Sequence, residues 1–186
     1  PNWNMLTRRE VLAAGVAGLS GCLGSPAGTS EPSCPATVSG AADARLGLVG
    51  DVMLGRSVTD AWQGRDPTGV WGTALPRLQS LDGLVLNLEC CVSDGGERWP
   101  NKTYYFRADP SFAVPALDAA DATVASLANN HTLDFGAAAL DDTLDHLDRA
   151  GVAHAGAGPD ADAAFGPTVV EAGGLTVAVV ALTDRF

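Results

Sequence analysis

Apolar residues in this chain fall into short blocks between Gly, Pro and Asp, and the blocks alternate between strand-like and helix-like spacing. Leu46–Arg56 opens as an apolar strand ending in Gly-Asp, Gly83–Glu89 is an apolar run ending in an acid, and Ala122–Leu127 has the composition of a buried strand. Behind the third run, Leu140, Leu144 and Leu147 lie at helical spacing, and Gly151 supplies a stop. Along the whole chain the pattern predicts strand 44–53, helices at about 57–64 and 72–80, strand 83–90 and a short strand 103–107. Helix 111–120, strand 122–128, helix 136–150, strand 152–155, a short helix 160–165 and strands 168–171 and 175–182 follow. The last two flank Gly173-Gly174 as a hairpin. Strands alternating with helices across Gly-rich joints predict an α/β fold with a largely parallel sheet.

The three buried-type strands end alike. The first presents Asp51, the second Asn87 and Glu89, and the third Asn130 and His131 within Ala128-Asn129-Asn130-His131-Thr132-Leu133-Asp134. Asn suits neither helix nor strand interiors, so a pair of them at a strand end needs a reason. Turn chemistry supplies one, with Asn129 bending the chain and Asp134 expected to cap the following helix. Three strands ending this way supply another, because ligands of open α/β sheets gather at the carboxyl ends of the strands. Carboxylate, amide oxygen and imidazole form a mixed O/N donor set suited to a divalent metal such as Mn, Zn, Fe or Mg.

The same residues carry a family resemblance. Gly50-Asp51-Val52-Met53-Leu54-Gly55-Arg56, then Asn87-Leu88-Glu89, then Ala128-Asn129-Asn130-His131 with Asp134-Phe135-Gly136, resemble the capsule-synthesis CapA family. Phe106-Arg107-Ala108-Asp109-Pro110, Asp142-Thr143-Leu144 and Gly151-Val152 through Gly158 extend the likeness from about Leu46 to the end of the chain. The resemblance implies a metallophosphoesterase-like layered sheet with flanking helices, incomplete in this chain. It implies a role in making or exporting an anionic capsular polymer such as poly-γ-glutamate, with a membrane synthase complex as a candidate partner. By the same resemblance Asp51 is the first metal-ligating aspartate, and Glu89 takes the second acidic position, with Asn87 beside it. Asn130 is then the amide ligand, and His131 a ligand or the group that contacts substrate and protonates a leaving oxygen. Met53 departs from the pattern, standing where phosphoesterases have a histidine, and a thioether is a poor partner for a hard metal. The alternative function is a metal-dependent hydrolase of phosphoesters or γ-glutamyl amides. The chain stops after an apolar strand without a closing element, which reads as a truncated domain.

Upstream of the domain, Arg8-Arg9, a short apolar run and Leu19-Ser20-Gly21-Cys22 predict a twin-arginine lipoprotein signal over residues 1–22, with Cys22 lipidated. Residues 23–43, rich in Gly, Ser and Pro, read as a flexible tether. The domain proper then runs over 44–186, on the extracellular face of the membrane. Net charge is −11, and Lys102 is the sole lysine. Such a surface repels nucleic acid and suggests a salt-rich setting. Arg56, Lys102 and Arg107 are scarce cations close in sequence to the strand ends, suited to holding phosphate or carboxylate groups, or to surface ion pairs. His146, His154, Trp62, Trp71 and Trp99 read as structural. Cys90 and Cys91 read as buried thiols, each also a possible disulfide partner for Cys34.

Overall fold

A computed structural model describes residues 43–184. The leader, Cys22, the tether and Cys34 lie outside the described residues. The elements are β1 (Leu46–Val52), α1 (Ser57–Trp62), a 3₁₀ segment (Pro67–Ala74), α2 (Leu75–Leu78), β2 (Gly83–Leu88), β3 (Cys91–Val92) and β4 (Arg107–Ala108). There follow α3 (Pro110–Ala119), β5 (Val124–Ser126), α4 (Gly136–Ala150), β6 (Ala153–Ala155), α5 (Ala161–Phe165), β7 (Thr168–Ala172) and β8 (Leu175–Val179).

Four strands pair in the order β1-β2-β5-β6, all parallel, as the alternation of strands and helices requires. β3 and β4 form a second, two-stranded parallel ladder, and β7 with β8 forms the antiparallel hairpin predicted around Gly173-Gly174. The fold is thus mixed α/β, a parallel central sheet flanked by helices.

One face of the sheet is dry. Leu84, Leu86 and Leu88 of β2 alternate inward and join Leu117 of α3 and Leu140, Leu144 and Leu147 of α4 in a single core. The α4 stripe is the one predicted, and Gly151 ends the helix in a left-handed turn with φ 71°. Buried Thr143 ties α4 to β3, accepting from Val92 N at 2.9 Å and donating to Ala139 O at 2.6 Å. Trp71 anchors the 3₁₀ segment to α3 by donating Nε1–H to Ala116 O.

The structure corrects several boundaries. β1 is not a buried strand: it is the sheet's edge, and Leu48 is 80 % exposed on the face away from the helices. Strand 83–90 breaks after Leu88, and Cys91 pairs instead in the second ladder. The short strand predicted at 103–107 lies at Arg107–Ala108, and the helix predicted at 72–80 is α-helical only over Leu75–Leu78, preceded by the 3₁₀ segment with a kink at Gly72, φ 53°. Trp99 is exposed rather than packed. Among the described residues, no helix is long and apolar enough to cross a membrane.

Candidate functional site

A one-residue irregularity in β1 aims the first site residue. The β1–β2 register runs Val49↔Leu86 and then Asp51↔Asn87, so Gly50 is an extra residue, a bulge. Without it Asp51 would share the helix-covered face of Val49. With it, Asp51 joins Asn87 on the open face. There Asn87 Nδ2 donates to Asp51 Oδ1 at 2.8 Å. Glu89, two residues beyond Asn87, has its N–H fixed on Val52 O at 3.0 Å, so the ends of β1 and β2 are stitched where the acids emerge.

Asn129, read from sequence only as a bend, is the bracket of the site. Its Nδ2 donates to Asn87 Oδ1 at 3.0 Å and to Leu88 O at 2.9 Å, and its Oδ1 accepts from His131 N at 2.9 Å and Thr132 Oγ1 at 3.3 Å. Both amide protons are used and Oδ1 accepts from His131 N, which is how a buried amide is tolerated; the single Thr132 hydroxyl proton is shared with Leu127 O. The bend survives as the Oδ1 to His131 N contact. Asn130, by contrast, is exposed.

His131 is buried, 6 % exposed, and held on three sides. Its ring stacks on Phe106 with centroids 3.8 Å apart and planes at 17°. Its Nδ1 lies 2.7 Å from Asp134 Oδ2, and its Nε2 faces Glu89 Oε1 at 3.9 Å. Asp134 does not cap α4: the cap position is Phe135, which makes no side-chain cap. Asp134 is instead fully buried, accepting from Lys102 Nζ on Oδ1 and from Phe106 N on Oδ2 at 2.6 Å. The reason is energetic. A carboxylate with three donors around it sits securely in the interior, where one bond at a helix end would not hold it. Lys102 therefore points inward, its side chain 18 % exposed, and also donates to Asn130 O.

The remaining cations border this cluster. Exposed Arg56, in a left-handed backbone conformation at φ 53°, holds its guanidinium 5.4 Å from the Phe106 ring and 5.7 Å from that of Tyr104. Arg107 lies over Phe135 at 4.2 Å and donates to Gly95 O. Arg98 covers Tyr105 at 5.0 Å. Sequence reasoning missed Asn129, Asp134 and Phe106 as members of the cluster. The Asp134 signal was available, since i and i+3 in a tight turn bring two side chains together.

The electrostatics follow from burial. Loss of water, then the neighbouring Asp51 carboxylate, pushes the Glu89 carboxyl above its ordinary 4.5. Burial pushes the Cys90 thiol up to about 12 and also raises Cys91, so both free thiols are poor nucleophiles and poor ligands. Among the described residues, no group of three or more His, Cys, Asp or Glu side chains stands ready to hold a metal ion. Asp51, Glu89 and His131 share one mouth without closing on a common point.

Comparison with known proteins identifies the family of the chain. The sequence model of the family described as "Bacterial capsule synthesis protein PGA_cap" matches residues 45–186. The chain is 35 % identical to a "Probable polyglutamine synthesis accessory protein" of Mycobacterium tuberculosis, over 68 % of this chain and 42 % of that protein. It is 30 % identical to the "Capsule biosynthesis protein CapA" of Bacillus anthracis, over 75 % of this chain and 34 % of the relative. With the "PGA biosynthesis protein CapA" of Bacillus subtilis the identity is 26 %, over 74 % and 36 % respectively. The chain thus spans less than half the length of each relative. The match takes in every strand and helix that builds the site, and the chain belongs to the bacterial capsule synthesis protein family PGA_cap.

Proposed function

We propose that this chain carries the ligand-handling site of a protein acting in synthesis or export of an anionic capsular polymer, poly-γ-glutamate being the candidate. In this reading a divalent cation is held by Asp51, Glu89 and His131, with Asn87 orienting Asp51. The observation that carries it is the approach of Glu89 Oε1 to His131 Nε2 at 3.9 Å, with the Asp51 charge close enough to raise the Glu89 carboxyl. The Asp51 and Glu89 carboxylates repel each other, a repulsion that a cation between them would relieve, and with the imidazole nitrogen their donor types fit Mn, Zn, Fe or Mg. Bound there, such an ion supplies positive charge for an anionic ligand and polarises its oxygen atoms. Asn130, the remaining amide of the implied ligand set, is exposed at the same turn.

The chain's own residues do the rest. Arg56, exposed beside the Phe106–His131 stack, offers its guanidinium to a polymer carboxylate. Arg107 opens β4 next to Phe106, whereas Lys102 is engaged by Asp134 and shapes the site from behind. Export through Arg8-Arg9 and lipidation at Cys22 would set this site on the outer face of the membrane, beside a polymer synthase.

The test is binding of fluorescent poly-γ-glutamate to the full chain with manganese present. The proposal expects saturable binding that weakens at least tenfold in Arg56→Ala and weakens again on chelation. No binding, or binding indifferent to both changes, overturns it. Release of phosphate or glutamate from phosphoester or γ-glutamyl amide substrates in the same samples would move the reading to a metal-dependent hydrolase.

A further inference from the structure

We infer that Asp134, anchored by Lys102, is a positioning residue that fixes His131 in one tautomer, with the proton on Nδ1 and the lone pair of Nε2 turned to the site. The inference deepens the proposed function, since it matters through His131, yet it can be read without metal or polymer. Oδ1 of Asp134 accepts from Lys102 Nζ, while Oδ2 accepts from Phe106 N at 2.6 Å. The carboxylate is thereby fixed on both oxygens by groups that can only donate. Oδ2 then meets His131 Nδ1 at 2.7 Å, and an ionised carboxylate has no proton to offer, so the imidazole must be the donor.

The opposite ring nitrogen is left to Glu89 Oε1, which at 3.9 Å is too far for a direct hydrogen bond. The ring is held in this orientation by the Phe106 ring stacked on one face at 3.8 Å and by the contact of Nδ1 with Asp134 Oδ2, while Asn129 Oδ1 fixes the backbone N–H of His131. Phe106 is itself tied to the same carboxylate through its N–H. Lys102, Asp134 and Phe106 therefore act as one frame behind the imidazole, which explains why the sole lysine of an acidic chain is turned inward. An imidazole so oriented presents a ligating or proton-accepting Nε2 without reorganisation.

The experiment is long-range ¹H–¹⁵N correlation on the ¹⁵N-histidine-labelled full chain, metal-free and at alkaline pH. The inference expects a pyrrole-type Nδ1 and a pyridine-type Nε2 for His131. It also expects a slowly exchanging Nδ1 proton with a nuclear Overhauser contact to the Phe106 amide proton, since both donate to one oxygen. In the double variant Lys102→Met, Asp134→Leu, which removes the buried charges together, the Nε2–H form should become the major one. A wild-type spectrum showing Nε2–H, or a folded double variant that keeps the Nδ1–H form, overturns the inference. Failure of metal or polymer binding with the expected spectrum would sink the functional reading alone.

Discussion

His131 Nδ1 and Asp134 Oδ2 stand 2.7 Å apart across a single turn, both groups buried. That contact separates the two nitrogens of the imidazole into different roles. Nδ1 belongs to the frame formed by Asp134, Lys102 and Phe106, while Nε2 belongs to the mouth formed by Glu89 and Asp51. A buried carboxylate is tolerated here because donors reach it both from the loop that carries Lys102 and Phe106 and from its own turn.

Glu89 should reveal a conflict between stability and ligand binding. Burial and Asp51 raise its carboxyl in the folded state, so folding favours the protonated form. Below the ordinary 4.5 both folded and unfolded chains are protonated and stability is intact; as pH rises through the raised folded value, that stability is lost. Metal-free Glu89→Gln should therefore melt higher than wild type at neutral pH, with the gap closing toward acid. Equal melting points at neutral pH would show that the carboxylate carries no such strain.

Asp109 has the opposite sign. It caps α3, accepting from the Ser111 hydroxyl at 2.7 Å and the Ser111 N–H at 2.8 Å, and these bonds hold its carboxyl below the ordinary 3.8. Its contribution is present above 3.8 and is lost as pH falls through the depressed folded value. Asp109→Ala should lower stability by about 1 kcal/mol at neutral pH. Urea unfolding should find that difference shrinking below the carboxylate range.

Gly55 marks where the loop after β1 touches β4. A Cβ there would lie 2.5 Å from Arg107 O and 2.7 Å from its carbonyl carbon, both backbone atoms that cannot swing aside. Gly55→Ala should destabilise by roughly 1–3 kcal/mol, in the range of overpacked interiors. It should also displace Arg56 and so weaken polymer binding. Unchanged unfolding midpoints would mean that the loop and β4 separate freely.

Much of this was legible in the chain and some was not, for identifiable reasons. The α4 stripe, the Gly151 stop and the β7–β8 hairpin are local, set by periodicity and by glycines, and they stand where the pattern put them. The gathering of Asp51, Asn87, Glu89 and His131 at strand ends followed from α/β topology. Whether β1 was buried did not, because the exposure of Leu48 depends on strand order rather than on composition. The Gly50 bulge was equally hidden, since one glycine beside an aspartate reads the same in a bulge or a turn. Asp134 was misassigned as a cap because its partners Lys102 and Phe106 lie in a distant loop that carries no periodic signal.

The central claim, that Asp51, Glu89 and His131 hold a divalent cation, is tested most directly by metal-dependent melting of the full chain. Stripped protein is titrated with manganese, zinc and magnesium in turn while unfolding is followed. An ion that binds only the folded state adds about 2.7 kcal/mol of stability at a hundredfold excess over Kd. The account predicts a concentration-dependent rise in melting midpoint with at least one of these ions. That rise should be largely lost in Asp51→Asn and in Glu89→Gln, where an amide keeps the shape and removes the anion. A wild-type midpoint that moves with none of the three would contradict the claim and leave the strand-end cluster as turn chemistry.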